Sequence, residues 1–349
     1  MFSTTARSGH NTEFGTPADG TPSDDIIIAR KQYTISYNPT RGGPNWVSWN
    51  LDATHLGTLD RCNCFTADTA LTRLGFPVHT TADFITGGLW DRGHMEPSAD
   101  QTTTDTENAF TFFLSNVLPQ KHDLNAGPWE RLENALRDSV KAGREAYIIA
   151  GGIFTNGVGL GTLNDLGQIG IPDSTWKIAI IGPVGFGLAD VHSATDVSVI
   201  AVNMPNVAGI ASNSFQQYLT TIAKIEASTH YNFLDLLGEA IQCKIEVRNC
   251  QPVPAIVSAT GSTTVAAGTP FTIKTSASDA DGADGPWRLT IDWGDGTSFA
   301  STLFALPTSA APFSRAKTWT TAGTYTVRLT VTDKKGGVGV STMQVTVTP

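Results

Sequence analysis

Apolar positions follow two different rhythms along this chain of 349 residues. In the first part, "GREAYIIAGGIF" (143–154) and "WKIAIIGPVGFG" (176–187) contain continuous apolar runs that predict buried strands. Between them and the N-terminus lies "GPWERLENALRDSVKAG" (127–143), which reads as a helix. Pro128 suits its first turn, Glu130 and Glu133 favour its N-terminal end, and Gly143 marks its stop. A second helix is expected over "SNSFQQYLTTIAKIEAST" (212–229), with Phe215, Leu219, Ile222 and Ile225 on its core face.

The texture changes near residue 251. "CQPVPAIVSATG" is Pro-rich, and beyond it come short β-branched runs separated by Gly/Asp turns. Tyr325, Val327, Leu329 and Val331 alternate with Thr326, Arg328, Thr330 and Thr332, the period of a half-buried strand. About 98 residues of such strands predict a β-sandwich. Three segments are therefore expected: a flexible lead-in over 1–24, an α+β domain over 25–251, and an all-β domain over 252–349.

Composition narrows the class. With 40% hydrophobic and 16% charged residues, the chain reads as globular. No apolar run is long enough to span a bilayer, and the first 25 residues lack the apolar core of a signal peptide. The net charge of −9 resides in the first domain, since residues 252–349 carry 7 Lys+Arg against 6 Asp+Glu. Phosphate binding usually leaves a basic footprint, so tight, processive nucleic-acid binding is disfavoured, although a local basic cleft is still allowed. The four cysteines, at 62, 64, 243 and 250, do not have metal-site spacing. Cys243 and Cys250 bracket a short loop whose closure would contribute roughly 2–3 kcal/mol. Cys62 and Cys64 sit on alternate positions and are less suited to pair with each other; four free thiols are the alternative. The acidic stretch "DADGADG" (279–285) lacks the terminal glutamate of a calcium loop, Thr290 standing there, and reads as an acidic turn.

Candidate chemistry centres on "DRGHMEPSAD" (91–100), with His94 between an Arg-Gly pair and a Met-Glu-Pro turn. Asn125, Trp129, Glu133 and Arg137 are spaced by four and line one helix face or its approach. That face also fits an ordinary solvated helix with one Glu–Arg pair. The combination points further. "DRGHMEPSAD", then "FFLSNVLPQKHDLNAGPWERLE" (112–133), then "YIIAGGIF" resembles the DNA/RNA non-specific endonuclease family in order and spacing. This is the Serratia-type group of ββα-metal nucleases, which includes mitochondrial endonuclease G. "YTISYNPTRGGPNWVSWNL" (33–51) and "LDRCNCFTAD" (59–68) match its start, so the resemblance spans roughly 25–245. "IDWGDGT" (291–297) and "AGTYTVRLTVTD" (322–333) resemble the PKD domain, an Ig-like module, with Trp319 standing in for the usual aromatic.

The resemblance implies a ββα-metal domain with a central antiparallel or mixed sheet flanked by helices, followed by a PKD-like sandwich. It implies His94 as general base, Asn125 as the direct protein ligand of Mg²⁺ (Mn²⁺ substituting), and Glu133 holding metal-bound water. Arg61 would stabilise the strained phosphate, with Arg92 and Arg137 contacting substrate. Asn116 would support the site, and Asp91 would anchor it. His230 stands where the family tends to have glycine. DNA and RNA are the implied substrates, the implied location is secreted or periplasmic, and the PKD-like module would attach to a polymer or cell surface. The chemistry agrees. A histidine of ordinary pKa, about 6.5, accepts a proton at neutral pH, which predicts an acid limb near that value. Mg²⁺ keeps most of its waters and needs few protein ligands. Arginine grips phosphate bidentately. Two other classes fit the same residues less fully: a phosphodiesterase of small nucleotides, and a non-catalytic nucleic-acid-binding or adhesion protein, which needs no water-activating base.

Overall fold

The structure is a computed structural model that describes residues 10–84, 88–157, 159–163, 169–246, 263–278, 286–333 and 338–349. The acidic stretch 279–285, Cys250 and the Pro-rich segment 251–262 lie outside the described residues. The chain divides into two compact units, Met1–Leu237 and Gly238–Pro349.

The first unit is built on a six-stranded antiparallel sheet. Its strands are β1 (Ile26–Ala29), β2 (Thr34–Asn38), β3 (Gly43–Leu51), β6 (Arg144–Ile153), β9 (Ser174–Pro183) and β10 (Ser198–Pro205), adjacent in that order. Two-stranded pieces complete it: β4 (Asp91–His94) with β5 (Val117–Gln120), and β7 (Gly161–Leu163) with β8 (Ile169–Ile171). The helices are α1 (Thr69–Arg73), α2 (Asp105–Thr111), the single turn α3 (His122–Leu124), α4 (Glu130–Lys141) and α5 (Ile222–Thr229).

Both faces of the central strands are covered, which is why β6 and β9 read as unbroken apolar runs rather than alternating ones. On one face Ala146, Ile148 and Ala150 of β6 and Ala179 and Ile181 of β9 share a core with Leu132, Leu136 and Val140 of α4. Each of these three helix residues contributes about 1.5–3 kcal/mol by burial. On the other face Tyr147 packs edge-on against Phe14 and Phe186, each at 5.2 Å, and Trp176 against Phe233 at 5.1 Å.

That second face corrects the expectation of a flexible lead-in. From Asn11 onward the segment is packed: Phe14 is buried, the Asn11 amide donates to the carbonyls of Arg30 and Lys31, and Ala18 bridges Asn232. The helix expected over 212–229 is also corrected. Phe215–Tyr218 form a 3₁₀ turn, Leu219 bridges Val202 and is exposed, and α5 begins only at Ile222. The Thr220–Thr221 pair divides the two: the Thr220 amide donates to Ala201 of β10, and the Thr221 hydroxyl caps α5 by accepting from the Lys224 amide. His230 ends α5 at φ 64°, in the left-handed conformation that glycine favours.

The second unit carries α6 (Glu239–Ile245) and β11 (Thr264–Ala266), β12 (Pro270–Thr275), β13 (Trp287–Asp292), β14 (Ser298–Leu303), β15 (Phe313–Thr318), β16 (Gly323–Thr332) and β17 (Val338–Thr348). The order β11–β17–β16–β13–β14 forms one sheet, and β12–β15 form another. Val327, Leu329 and Val331 point into the core as their alternation predicts, and Trp319 stacks on Tyr325 at 5.2 Å.

Candidate active site

A short antiparallel pair delivers the histidine. In β4–β5, Asp91 faces Gln120 and His94 faces Val117. At Gly93 a Cβ would lie 2.0 Å from the Gln120 side-chain oxygen, so the buried Gln120 side chain would have to shift. Beyond His94 the chain is held by Asn116. Its carbonyl accepts from the Met95 amide, its side-chain oxygen accepts from the Glu96 amide at 3.0 Å, and its amide group donates to the carbonyls of Glu96 and Thr111. Asn116 is buried and holds the backbone that follows His94.

After β5 the chain enters α3 and then a wide turn over Asn125–Trp129, in which Gly127 is non-helical. α4 therefore starts at Glu130, three residues later than the pattern suggested, and Asn125 belongs to its approach. Trp129 donates its indole N–H to the His94 carbonyl at 3.3 Å, tying this turn to the end of β4.

Arg61, His94, Asn125, Glu133 and Arg137 line one cleft of about 270 Å³. A neighbouring cleft of about 560 Å³ shares Arg61 and Asn125 and adds Arg92, Asp91, His122 and Trp90. His94 lies between the rings of Phe65 and Phe112, at centroid distances of 5.0 and 4.9 Å. The same rings carry the arginines: Arg92 sits 4.3 Å from the Phe65 centroid and Arg61 5.1 Å from that of Phe112. Burial, then Arg61, then Arg92 push the His94 pKa down to about 3. An acid limb near 6.5, expected from an ordinary imidazole, is corrected accordingly: His94 is a neutral acceptor over the whole range above pH 5. Among the described residues, no carboxylate pairs with Arg61 or Arg92 within ion-pair distance.

Asn125 donates its amide N–H to Asp91 at 3.0 Å. A carboxylate only accepts, so the Asn125 side-chain oxygen is left as the acceptor for another partner. Asp91 also meets His122 at 2.8 Å, which raises the His122 pKa. Glu133 faces Lys177 at 3.2 Å, and Lys177 lies 4.1 Å from the Trp129 ring centroid. Burial raises the Glu133 pKa, opposed by Lys177 and Arg137. Arg137 is placed differently from expectation. Its guanidinium is held by Asp100 at 2.7 Å and by Asn134 at 2.8 Å, so a carboxylate already neutralises the charge meant for phosphate.

Several contributors are absent from the sequence reading. Lys177 interrupts the apolar run "WKIAII", and a charge in a buried strand was the available signal. Phe65, Phe112 and Asp100 had none. Cys62 and Cys64 are bridged to each other, contrary to the expectation from their alternate positions; Asn63 between them takes φ 50°, which folds the two side chains together. Cys243 is disulfide-bonded, and its expected partner Cys250 lies outside the described residues.

The donor set suits a hard divalent cation. The Asn125 amide oxygen and the carboxylates of Glu130 and Glu133 share an open cleft that has room for water. Among the described residues the one cluster of three carboxylates, Asp19, Asp24 and Asp25, does not line either cleft.

Residues 10–240 match the family model described as DNA/RNA non-specific endonuclease. The chain belongs to this family. Residues 251–347 match the PKD domain model. A nuclease from Nostoc sp. is 37% identical over 237 residues, covering 66% of this chain and 83% of the relative. The mitochondrial nuclease EXOG of Xenopus laevis is 30% identical over 182 residues, 50% of this chain and 49% of that protein. Human mitochondrial endonuclease G is 26% identical, covering 62% and 71%. The fold resembles a chain in the crystal structure of an EndoG/EndoGI complex, with a TM-score of 0.56 at 21% identity, covering 66% of this chain and 92% of that one. As a member of the non-specific endonuclease family, the protein is a nuclease, a hydrolase acting on nucleic acids.

Proposed function

We propose that the first unit hydrolyses phosphodiester bonds of both DNA and RNA, with His94 as general base and a Mg²⁺ ion held directly by Asn125. The observation that carries this reading is the neutral, buried imidazole of His94 beside two arginines that have no carboxylate partner among the described residues, in a cleft shared with Asn125 and Glu133. His94 accepts the proton of the attacking water, which must be deprotonated in line with the leaving 3′-oxygen. Arg61 meets the charge that gathers on phosphate in the transition state, and Arg92 contacts the neighbouring phosphate. Asn125 would hold the cation directly and Glu133 through water, and a bound Mg²⁺ would supply positive charge where the transition state gathers negative charge. Asp91 orients the Asn125 amide, while Asn116 and Arg137 position the segments that carry His94 and Glu133. Contacts of this kind go to phosphate, which carries no base information, so sugar and sequence are read weakly. An acidic unit with a local pair of arginines suits an enzyme that must release its products. We assign it a location outside the cytoplasm, with the PKD domain attaching it to a polymer or cell surface.

The test is a cleavage assay on supercoiled plasmid and on a structured RNA. Both should be cut internally in Mg²⁺ or Mn²⁺, protected by EDTA, and left intact by Asn125→Ala. Cleavage that survives EDTA, or an active Asn125→Ala, removes the metal assignment.

A further inference from the structure

We propose that the Cys62–Cys64 disulfide is the device that positions Arg61, and that its reduction lowers nuclease turnover. The proposal rests on the phosphate-binding role of Arg61 given above.

Arg61 is carried by a segment with little else to hold it. From Leu59 to Phe65 the chain is in neither helix nor strand, and residues 61 to 64 are exposed. Among the described residues its backbone is tethered by four hydrogen bonds: the Leu59 amide to Thr102, the Cys62 amide to the Asn108 side chain, the Thr66 amide to Phe112, and the Leu114 amide to the Thr66 carbonyl. Sparse backbone bonding and exposure are the marks of a segment that opens locally. Yet Arg61 reaches both clefts, lies over the Phe112 ring, and acts electrostatically on His94 and Glu133. Directly after it come the two bridged cysteines, with Asn63 between them at φ 50° and lining the larger cleft. Asparagine tolerates that left-handed conformation, and the bridge between its two neighbours holds it there. Opening it lets Asn63 return to extended backbone and swings the Arg61 side chain relative to the rings that seat it.

Exposure makes the bridge accessible to thiols, and exposed disulfides are the labile ones. A dithiol reductant supplies two electrons and two protons. The Sγ–Sγ bond breaks, Cys62 and Cys64 become thiols, and the two sulfurs of the reductant pair in their place. Air or a disulfide oxidant reverses the exchange.

The test uses the full chain and four proteins: wild type, Cys62→Ser/Cys64→Ser, Arg61→Ala, and the triple variant. Turnover of a short oligonucleotide is measured with and without dithiothreitol. A displacement of about 1 Å at a charged contact can cost on the order of a hundredfold, so we expect the double serine variant to lose at least about tenfold in kcat. The triple variant should be no slower than Arg61→Ala, because the bridge acts only through that side chain. Dithiothreitol should bring wild type to the level of the double variant and leave the double variant unchanged, which separates this bridge from the one at Cys243. A fully active double serine variant beside an impaired Arg61→Ala overturns the proposal and leaves the function of Arg61 standing. Full activity of Arg61→Ala overturns both.

Discussion

At the residue scale, the behaviour of His94 is set by its surroundings more than by its own chemistry. Phe65 and Phe112 exclude water from the imidazole, and Arg61 and Arg92 oppose a positive charge on it. Protonation is therefore displaced to about pH 3, and the acceptor form persists as pH falls through the usual histidine range. Following the seven histidines by NMR between pH 8 and 5 should show His94 stationary. His122, raised by Asp91, should titrate above the ordinary value. A His94 midpoint near 6.5 would contradict the burial described for it. Replacing the proposed base should be severe: His94→Ala is expected to lose at least about two orders of magnitude in turnover while its circular dichroism is unchanged. Near-normal turnover in a folded variant would sink the assignment.

At the scale of elements, the site depends on how α4 is pinned to the sheet. Lys177 sits on the face of β9 that carries Ala179 and Ile181, and its ammonium group faces Glu133 under the ring of Trp129. Both charges are nearly out of water, so removing one strands the other. Lys177→Met should destabilise the first unit by about 3 kcal/mol, or roughly 6–12 °C in its melting temperature. Adding Glu133→Gln to Lys177→Met should recover most of that loss, because no buried charge is then left unpaired, while activity stays low. A calorimetric scan of the two variants checks this. If the double variant melts lower than Lys177→Met alone, the pair is not what pins the helix.

For the molecule as a whole, we propose that the two units divide the labour. Every residue assigned to the chemistry lies within Met1–Leu237, and the second unit has its own core around Ile291, Leu329 and Val345. A chain ending after Cys250 is therefore expected to cleave a short oligonucleotide at close to the full-length rate. Losses should appear in binding to an insoluble polymer or to cells. Should the shortened chain fold, by circular dichroism, and still lose most of its turnover, the β-domain takes part in the active site.

What the sequence determined alone is what local spacing encodes. Glu133 and Arg137 were legible because a helical turn places every fourth residue on one side, although Asn125 and Trp129 fall in the wide turn before α4, and the alternation from Tyr325 to Val331 because a strand turns every second residue inward. The order from His94 through Asn116 to Glu133 was legible only from the resemblance to the family's motif; in the structure β4, β5 and α4 follow one another within that stretch. The tertiary structure decided whatever depends on distant neighbours. Lys177 meets Glu133 across 44 residues, and Arg137 meets Asp100 across 37, so neither pairing leaves a periodic trace. The loss of basicity at His94 arises from rings and charges brought in by three separate segments. Even the Cys62–Cys64 bridge, only two residues apart, needed a left-handed Asn63 that no alternation of side chains predicts. Periodicity records which way a side chain points; burial and charge depend on what the fold places opposite it.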